Sequence, residues 1–174
     1  MTGFLIVVLI VVAAVLYAQS SRSIESTDDE RGLPAELRGA RLVHAEETFR
    51  SEAQRVVARL DRAYELAGEL VLVEFKTRSA SVAYRDDIIE LSVQRVALRD
   101  ERKVPVSKVA WVVTQDSATG RRTPHRVTLL DTAEVQALRT RYLAIEAGIE
   151  PDPRPARSRN QCLHCGHRAV CDGR

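Results

Sequence analysis

The apolar positions fall into two kinds of pattern. "GFLIVVLIVVAAVLYA", residues 3–18, is unbroken: no charge and almost nothing polar. A membrane-spanning helix takes about 17–25 predominantly apolar residues, so residues 1–18 reach the lower end of that range and predict an N-terminal transmembrane helix. A cleaved signal peptide would carry basic residues before the run and small residues at its end. Here no Lys or Arg precedes it, and it ends Leu16-Tyr17-Ala18. The expectation is a retained single-span anchor. Arg22, Arg31, Arg38 and Arg41 follow it. Basic flanks stay inside, which predicts an inner (cytoplasmic) membrane protein with its remaining residues in the cytoplasm.

After a polar tether over residues 19–37, ending in Gly and Pro near "RGLPA", the pattern becomes alternating. "ARLVHAEETFRS" (40–51), "QRVVARLDRAYEL" (54–66) and residues 69–76 predict three strands. The gaps between them are short, with Gly68 in the second, as in an antiparallel meander. "YRDDIIELSVQRVALRDER" (84–102) has strong helix formers and no internal Gly or Pro, and Val104-Pro105 stops it. "VSKVAWVVTQ" (106–115) and "HRVTLLD" (125–131) predict strands joined by the basic loop "DSATGRRTP". Asp131 with Glu134 has capping-box spacing for a helix running to about Ala147, where Gly148 ends it. Strands, helix, two strands, helix make one α/β domain over residues 38–150, followed by a Pro/Arg-rich linker and a Cys-rich tail over 151–174.

Composition adds little to this. With 45% hydrophobic and 29% charged residues, the chain suits a folded domain with appendages rather than a disordered one. A net charge of +2 does not by itself establish a polyanionic partner. The three cysteines, Cys162, Cys165 and Cys171, cannot close a disulfide framework, and their clustering favours a metal or cluster site in a reducing compartment.

Candidate chemistry sits at the end of the third strand, "GELVLVEFKTR". Alternation puts Leu70, Leu72, Glu74 and Lys76 on one face and Val71, Val73 and Phe75 on the other. On the preceding strand Asp61 follows an apolar stretch in the same way, and antiparallel pairing brings it near Glu74. Two carboxylates so close repel each other unless a cation lies between them. Oxygen ligands of this kind suit Mg2+ or Mn2+. A neighbouring lysine can stabilise developing phosphate charge, or help position and deprotonate an attacking water.

Asp61…Glu74-x-Lys76 resembles the core of the PD-(D/E)XK nucleases, and the helix carrying Gln94 in "DIIELSVQRVAL" resembles the glutamine helix of their RecB-type branch, which includes CRISPR-associated exonucleases. The resemblance implies a restriction-endonuclease-like core, a mixed central sheet flanked by helices. It implies hydrolysis of DNA, with Mg2+ or Mn2+ held by Asp61, Glu74 and the backbone carbonyl of Phe75. Lys76 would be the catalytic lysine, and Gln94 would support the site or the DNA. An upstream acid completes the site in that family; Glu46 or Glu47 is the candidate, with Glu46 preferred. His44 shares a face with Glu46 and is the alternative ligand, unless it is simply a satisfied strand histidine. The family's proline position is Leu60, and the N-terminal helix of the RecB-type branch, with its histidine and first cysteine, is replaced by the span and tether.

The C-x2-C-x5-C spacing of Cys162, Cys165 and Cys171 matches the last three ligands of the iron–sulfur RecB-type nucleases. No fourth cysteine lies upstream, and His164 or His167 would complete a three-cysteine, one-histidine zinc set. An iron–sulfur cluster and zinc therefore both stand. Arg78, Arg85, Arg95, Arg99, Arg121, Arg122 and Arg126 suggest a basic approach to the site. The functional expectation is a membrane-tethered, divalent-metal-dependent DNA nuclease with no small-molecule substrate. The alternatives are a nuclease-like module that binds nucleic acid without cutting it, and a zinc-tailed protein-interaction domain.

Overall fold

The alternating segments form the expected meander. In the computed structural model, which describes residues 32–149 together with Leu163 and Arg168, β1 (Arg41–Ser51), β2 (Val56–Leu66) and β3 (Glu69–Thr77) pair antiparallel in sequence. Ala67 and Gly68 join β2 to β3 with φ of 52° and 84°. Two successive positive φ values make a type I′ turn, whose twist suits a tight hairpin. Helix α1 (Arg85–Arg102) then leads to β4 (Val109–Gln115), which pairs parallel with β3. β5 (Arg122–Thr128) closes the sheet antiparallel to β4. The product is a mixed five-stranded sheet in the order β1-β2-β3-β4-β5, with α1 against β1, β2 and β3.

Each sheet face has its own apolar cluster. Leu60, Leu70, Leu72, Ala110 and Val112 pack with Leu91, Ala97 and Leu98 of α1. Tyr64, Val71, Val73, Trp111 and Val113 form the other cluster. β3 therefore alternates as its sequence predicts. β2 does not: Leu60 and Ala63 both lie on the α1 side although three residues apart, so the alternation slips at Asp61–Arg62.

The chain divides into two compact units, residues 1–135 and 136–174. Helix α2 (Thr132–Glu146) starts in the first. Its predicted capping box is present: Glu134 N donates to Asp131 Oδ1 at 2.9 Å, and Asp131 N to Glu134 Oε2 at 2.7 Å.

Three boundaries differ from the sequence reading. Leu33 and Leu37, placed in the tether, pack against the second cluster, so the folded domain begins before residue 38. β4 starts at Val109 rather than residue 106. β5 covers 122–128 rather than 125–131 and contains Pro124. An edge strand has an unpaired side on which a missing N–H costs nothing, and β5 is an edge strand. The predicted transmembrane helix (1–18), most of the tether, and Cys162, Cys165, Cys171, His164 and His167 lie outside the described residues. Among the described residues no helix is long and apolar enough to cross a membrane.

Candidate active site

The site is a fork between two strands. The β2–β3 ladder runs from Leu66↔Glu69 to Arg62↔Val73 and stops there. Beyond it, Glu74 to Thr77 pair only with β4. At the branch the Asp61 side chain takes over from the backbone: its Oδ2 accepts a hydrogen bond from Phe75 N at 2.9 Å. The slip in β2 thus turns Asp61 toward β3.

Helix α1 closes the fork from above. Glu74, 3% exposed, accepts from Gln94 Nε2 at 2.9 Å through Oε2 and meets Lys76 Nζ at 2.7 Å through Oε1. Lys76 Nζ also lies 2.8 Å from Glu90 Oε2. Gln94 Nε2 donates to the Arg59 carbonyl on β2 at 3.1 Å, bridging the two arms. The match of helix to strand is geometric. Four helical residues rise about 6 Å and two strand residues about 7 Å, so Glu90 and Gln94 meet Lys76 and Glu74 one to one. Glu90 was not singled out from the sequence. Its only signal was its place four residues before Gln94, on a helix with several other acids.

Burial pushes the Glu74 carboxyl pKa up; the bonds from Lys76 and Gln94 oppose this, and the negative charges of Asp61 and Glu90 add to it. Burial works against the Lys76 ammonium, but Glu74 and Glu90 outweigh it and hold its pKa above the ordinary lysine value. Gln94 Oε1 is buried with no hydrogen-bond partner among the described residues, an acceptor open to water or ligand beside Glu74. Among the described residues no three of His, Cys, Asp and Glu are gathered as a metal group. Two carboxylates, the Phe75 carbonyl and water nonetheless fit a magnesium-like ion, which usually takes one or two carboxylates and keeps several waters.

A protein-family model described as the PD-(D/E)XK nuclease superfamily matches residues 14–172. This chain belongs to the PD-(D/E)XK nuclease superfamily. The solved protein SSO0001 superposes with a TM-score of 0.52 at 14% identity, covering 92% of this chain and 70% of that one. A candidate exonuclease from Eubacterium rectale superposes with a TM-score of 0.43 at 11% identity, covering 71% of this chain and 57% of that one. The first likeness supports the fold alone. A search of curated proteins finds no match.

In this PD-(D/E)XK core the structure brings Asp61, Glu74, Lys76 and Gln94 together, with Phe75 between them. Glu46 is placed differently. Its φ of 54° breaks the alternation of β1, and its carboxylate pairs with Arg59 at 3.1 Å and Arg62 at 3.2 Å. Arg62 Nη1 in turn donates to the Asp61 carbonyl at 2.7 Å. His44 is a satisfied strand histidine: Nδ1 lies 3.1 Å from Glu47 Oε2, and the ring packs edge-on against Phe49. It lines a separate cavity of about 540 Å3 with Arg41, Glu65, Gly68 and Arg102.

The basic approach is smaller than the sequence suggested. Arg95 is buried, with Nε donating to the carbonyls of Val106 and Ser107 at 3.0 Å each. Arg78 bonds Asp87 at 2.7 Å, Arg99 bonds Asp100 at 2.7 Å, and Arg122 bonds Gln115 at 2.9 Å. Arg126 pairs with Trp111 and so faces the other side of the sheet. Arg85 and Arg121 are exposed.

Proposed function

We propose that this PD-(D/E)XK chain is a divalent-metal-dependent nuclease of RecB type that hydrolyses DNA phosphodiester bonds, tethered to a cytoplasmic membrane by residues 1–18. The observation that carries the catalytic reading is the fork, where Asp61, buried Glu74 and doubly held Lys76 meet under Gln94. Asp61, Glu74 and the Phe75 carbonyl would hold Mg2+ or Mn2+, which when bound supplies Lewis-acid stabilisation of the phosphate's charge. Gln94 fixes one oxygen of Glu74 and so the direction of the other. Lys76 stands at the rim as a cation and offers its ammonium to the phosphate oxygens as charge builds. With Glu74 it orients the water that attacks phosphorus opposite the leaving oxygen.

The test is incubation of the full chain with linear DNA in Mg2+, in Mn2+ and in EDTA. Cleavage in either metal and none in EDTA supports the reading. Salt-sensitive DNA binding without turnover would instead make the chain a binding module. The tether is tested by membrane fractionation with and without residues 1–18; sedimentation that survives the deletion rules it out. Cys162, Cys165 and Cys171, with His167, enter the reading as a structural zinc or iron–sulfur site. Metal analysis of the purified chain tests it, and protein free of both metals would contradict it.

A further inference from the structure

The sheet carries a second polar set on the face of the fork. Glu74 pairs with Val112, which pairs with His125; Lys76 pairs with Thr114, which pairs with Thr123. Paired residues point to the same side of a sheet, so Thr114 and His125 share the face of Glu74 and Lys76, one and two strands away. At about 4.8 Å between strands, His125 stands roughly 10 Å from Glu74. Ser81, between β3 and α1, reaches the same place. Its Oγ lies 3.3 Å from Thr114 Oγ1 and 3.4 Å from His125 Nε2. Thr114 Oγ1 lies 3.0 Å from His125 Nε2 and 3.2 Å from the Thr123 carbonyl.

A carbonyl only accepts, so a Thr114 hydroxyl that donates to Thr123 has its oxygen free to accept from His125 Nε2. A cationic ring requires this arrangement, because both of its nitrogens carry hydrogen. Thr114 is 1% exposed, so the ring is held from the inside by a fixed oxygen. Nδ1 has no hydrogen-bond partner among the described residues. His125 is half-buried, while Ser81 beside it is exposed. With Nε2–H on Thr114, the open Nδ1 of the neutral ring can only accept; in the cationic form the ring keeps that anchor and donates from Nδ1 to an acceptor outside it. The acceptor that a strand crossing the fork presents is another backbone phosphate.

We propose that His125, anchored by Thr114 and Ser81, binds a phosphate of the nucleic acid within about three nucleotides of the scissile one, the number that roughly 10 Å of duplex rise contains. It thereby adds binding energy to the strand that crosses Glu74 and Lys76, felt equally before and during the reaction. The identity of the ligand rests on the nuclease reading above.

The full chain and its His125→Ala, His125→Gln and His125→Arg variants are compared by binding to a short labelled DNA duplex without divalent metal, across a range of salt in mildly acidic buffer. The same proteins are then compared in steady-state cleavage with Mn2+, with thermal melting to verify folding. His125→Ala and His125→Gln should weaken binding and raise KM about 5–10-fold with kcat within about twofold. Each should also make the log–log salt slope shallower by about 0.9, the loss of one phosphate contact. His125→Arg should restore affinity and slope. Unchanged slope and KM in folded His125→Gln, whatever the fate of His125→Ala, overturns the proposal while leaving hydrolysis standing. A wild type that binds with the predicted slope change but never cleaves overturns the hydrolytic reading and leaves the contact in place. A wild type that does not bind DNA overturns both.

Discussion

Glu74 sits at the end of a core strand, where the fold buries a carboxyl and raises its pKa. Between the unfolded and folded pKa values the native state holds a proton that the unfolded chain has released, so stability falls as pH rises through that window. Glu74→Gln removes the effect. Its melting temperature relative to wild type should therefore rise from pH 4 to pH 7, as read in thermal melts without metal; a variant that loses ground over that range contradicts the account. Lys76 does not reverse the sign, because its bond to Glu74 is already one of the opposing contributions. At this scale Asp61, Glu74 and Lys76 were legible because charge interrupting an apolar pattern is conspicuous, whereas Gln94 was legible only through the family resemblance of its helix. Glu46 was not, since a residue at φ 54° leaves no mark in a composition pattern and reverses the face that alternation assigns. Glu90 was hidden in the opposite way, as one exposed acid among several on α1.

Helix α1 is the element that turns a strand end into a site. Glu90 and Gln94 lie one turn apart on one side of it and engage Lys76 and Glu74. Groups that orient a metal ligand typically carry 10–100-fold in metal affinity or activity. Gln94→Ala should lower kcat by about that factor. Because it strands the Arg59 carbonyl and Glu74 Oε2, its melting temperature should fall too, so the rates are compared where the variant is still folded. Kinetics within twofold of wild type would remove Gln94 from the machinery. The seat of α1 is secured farther along, where Arg95 Nε binds the carbonyls of Val106 and Ser107, and Ser51 Oγ donates to Asp100 Oδ2 at 2.6 Å. Arg95→Ala strands two acceptors, at about 1–3 kcal/mol for each one buried. Denaturant midpoints should fall accordingly at constant slope, and a shift under about 0.5 kcal/mol would show that water replaces the guanidinium. Elements were legible wherever one period persisted. The miss at β5 came from Pro124, a strand breaker in the interior of a sheet but admissible on the edge strand. Sheet order, which decides this, is not a local property of the sequence.

At the scale of the molecule, the parallel β3–β4 pair with α1 between them fixes where chemistry is placed. β3 is central, and its last residues leave β2 while still paired with β4, which opens a fork at Asp61 without breaking the sheet. The His44 cavity lies by the β2–β3 turn and the end of α1, lined by Gly68 and Arg102. The site residues that the sequence suggested therefore separate into one cluster at the fork and two residues, Glu46 and His44, engaged in other contacts. The N-terminal apolar run and the C-terminal cysteines are strong sequence signals about attachment and metal binding. The hydrolytic claim does not depend on them, because its residues all lie between Asp61 and Gln94. The most direct measurement is the single-turnover rate of Mn2+-dependent DNA cleavage by the full chain beside Asp61→Ala and Lys76→Ala. The account predicts metal-dependent cleavage in wild type and losses on the order of 100-fold or more in each variant, with melting temperatures that show both folded. Cleavage that survives either substitution at near wild-type rate would contradict it.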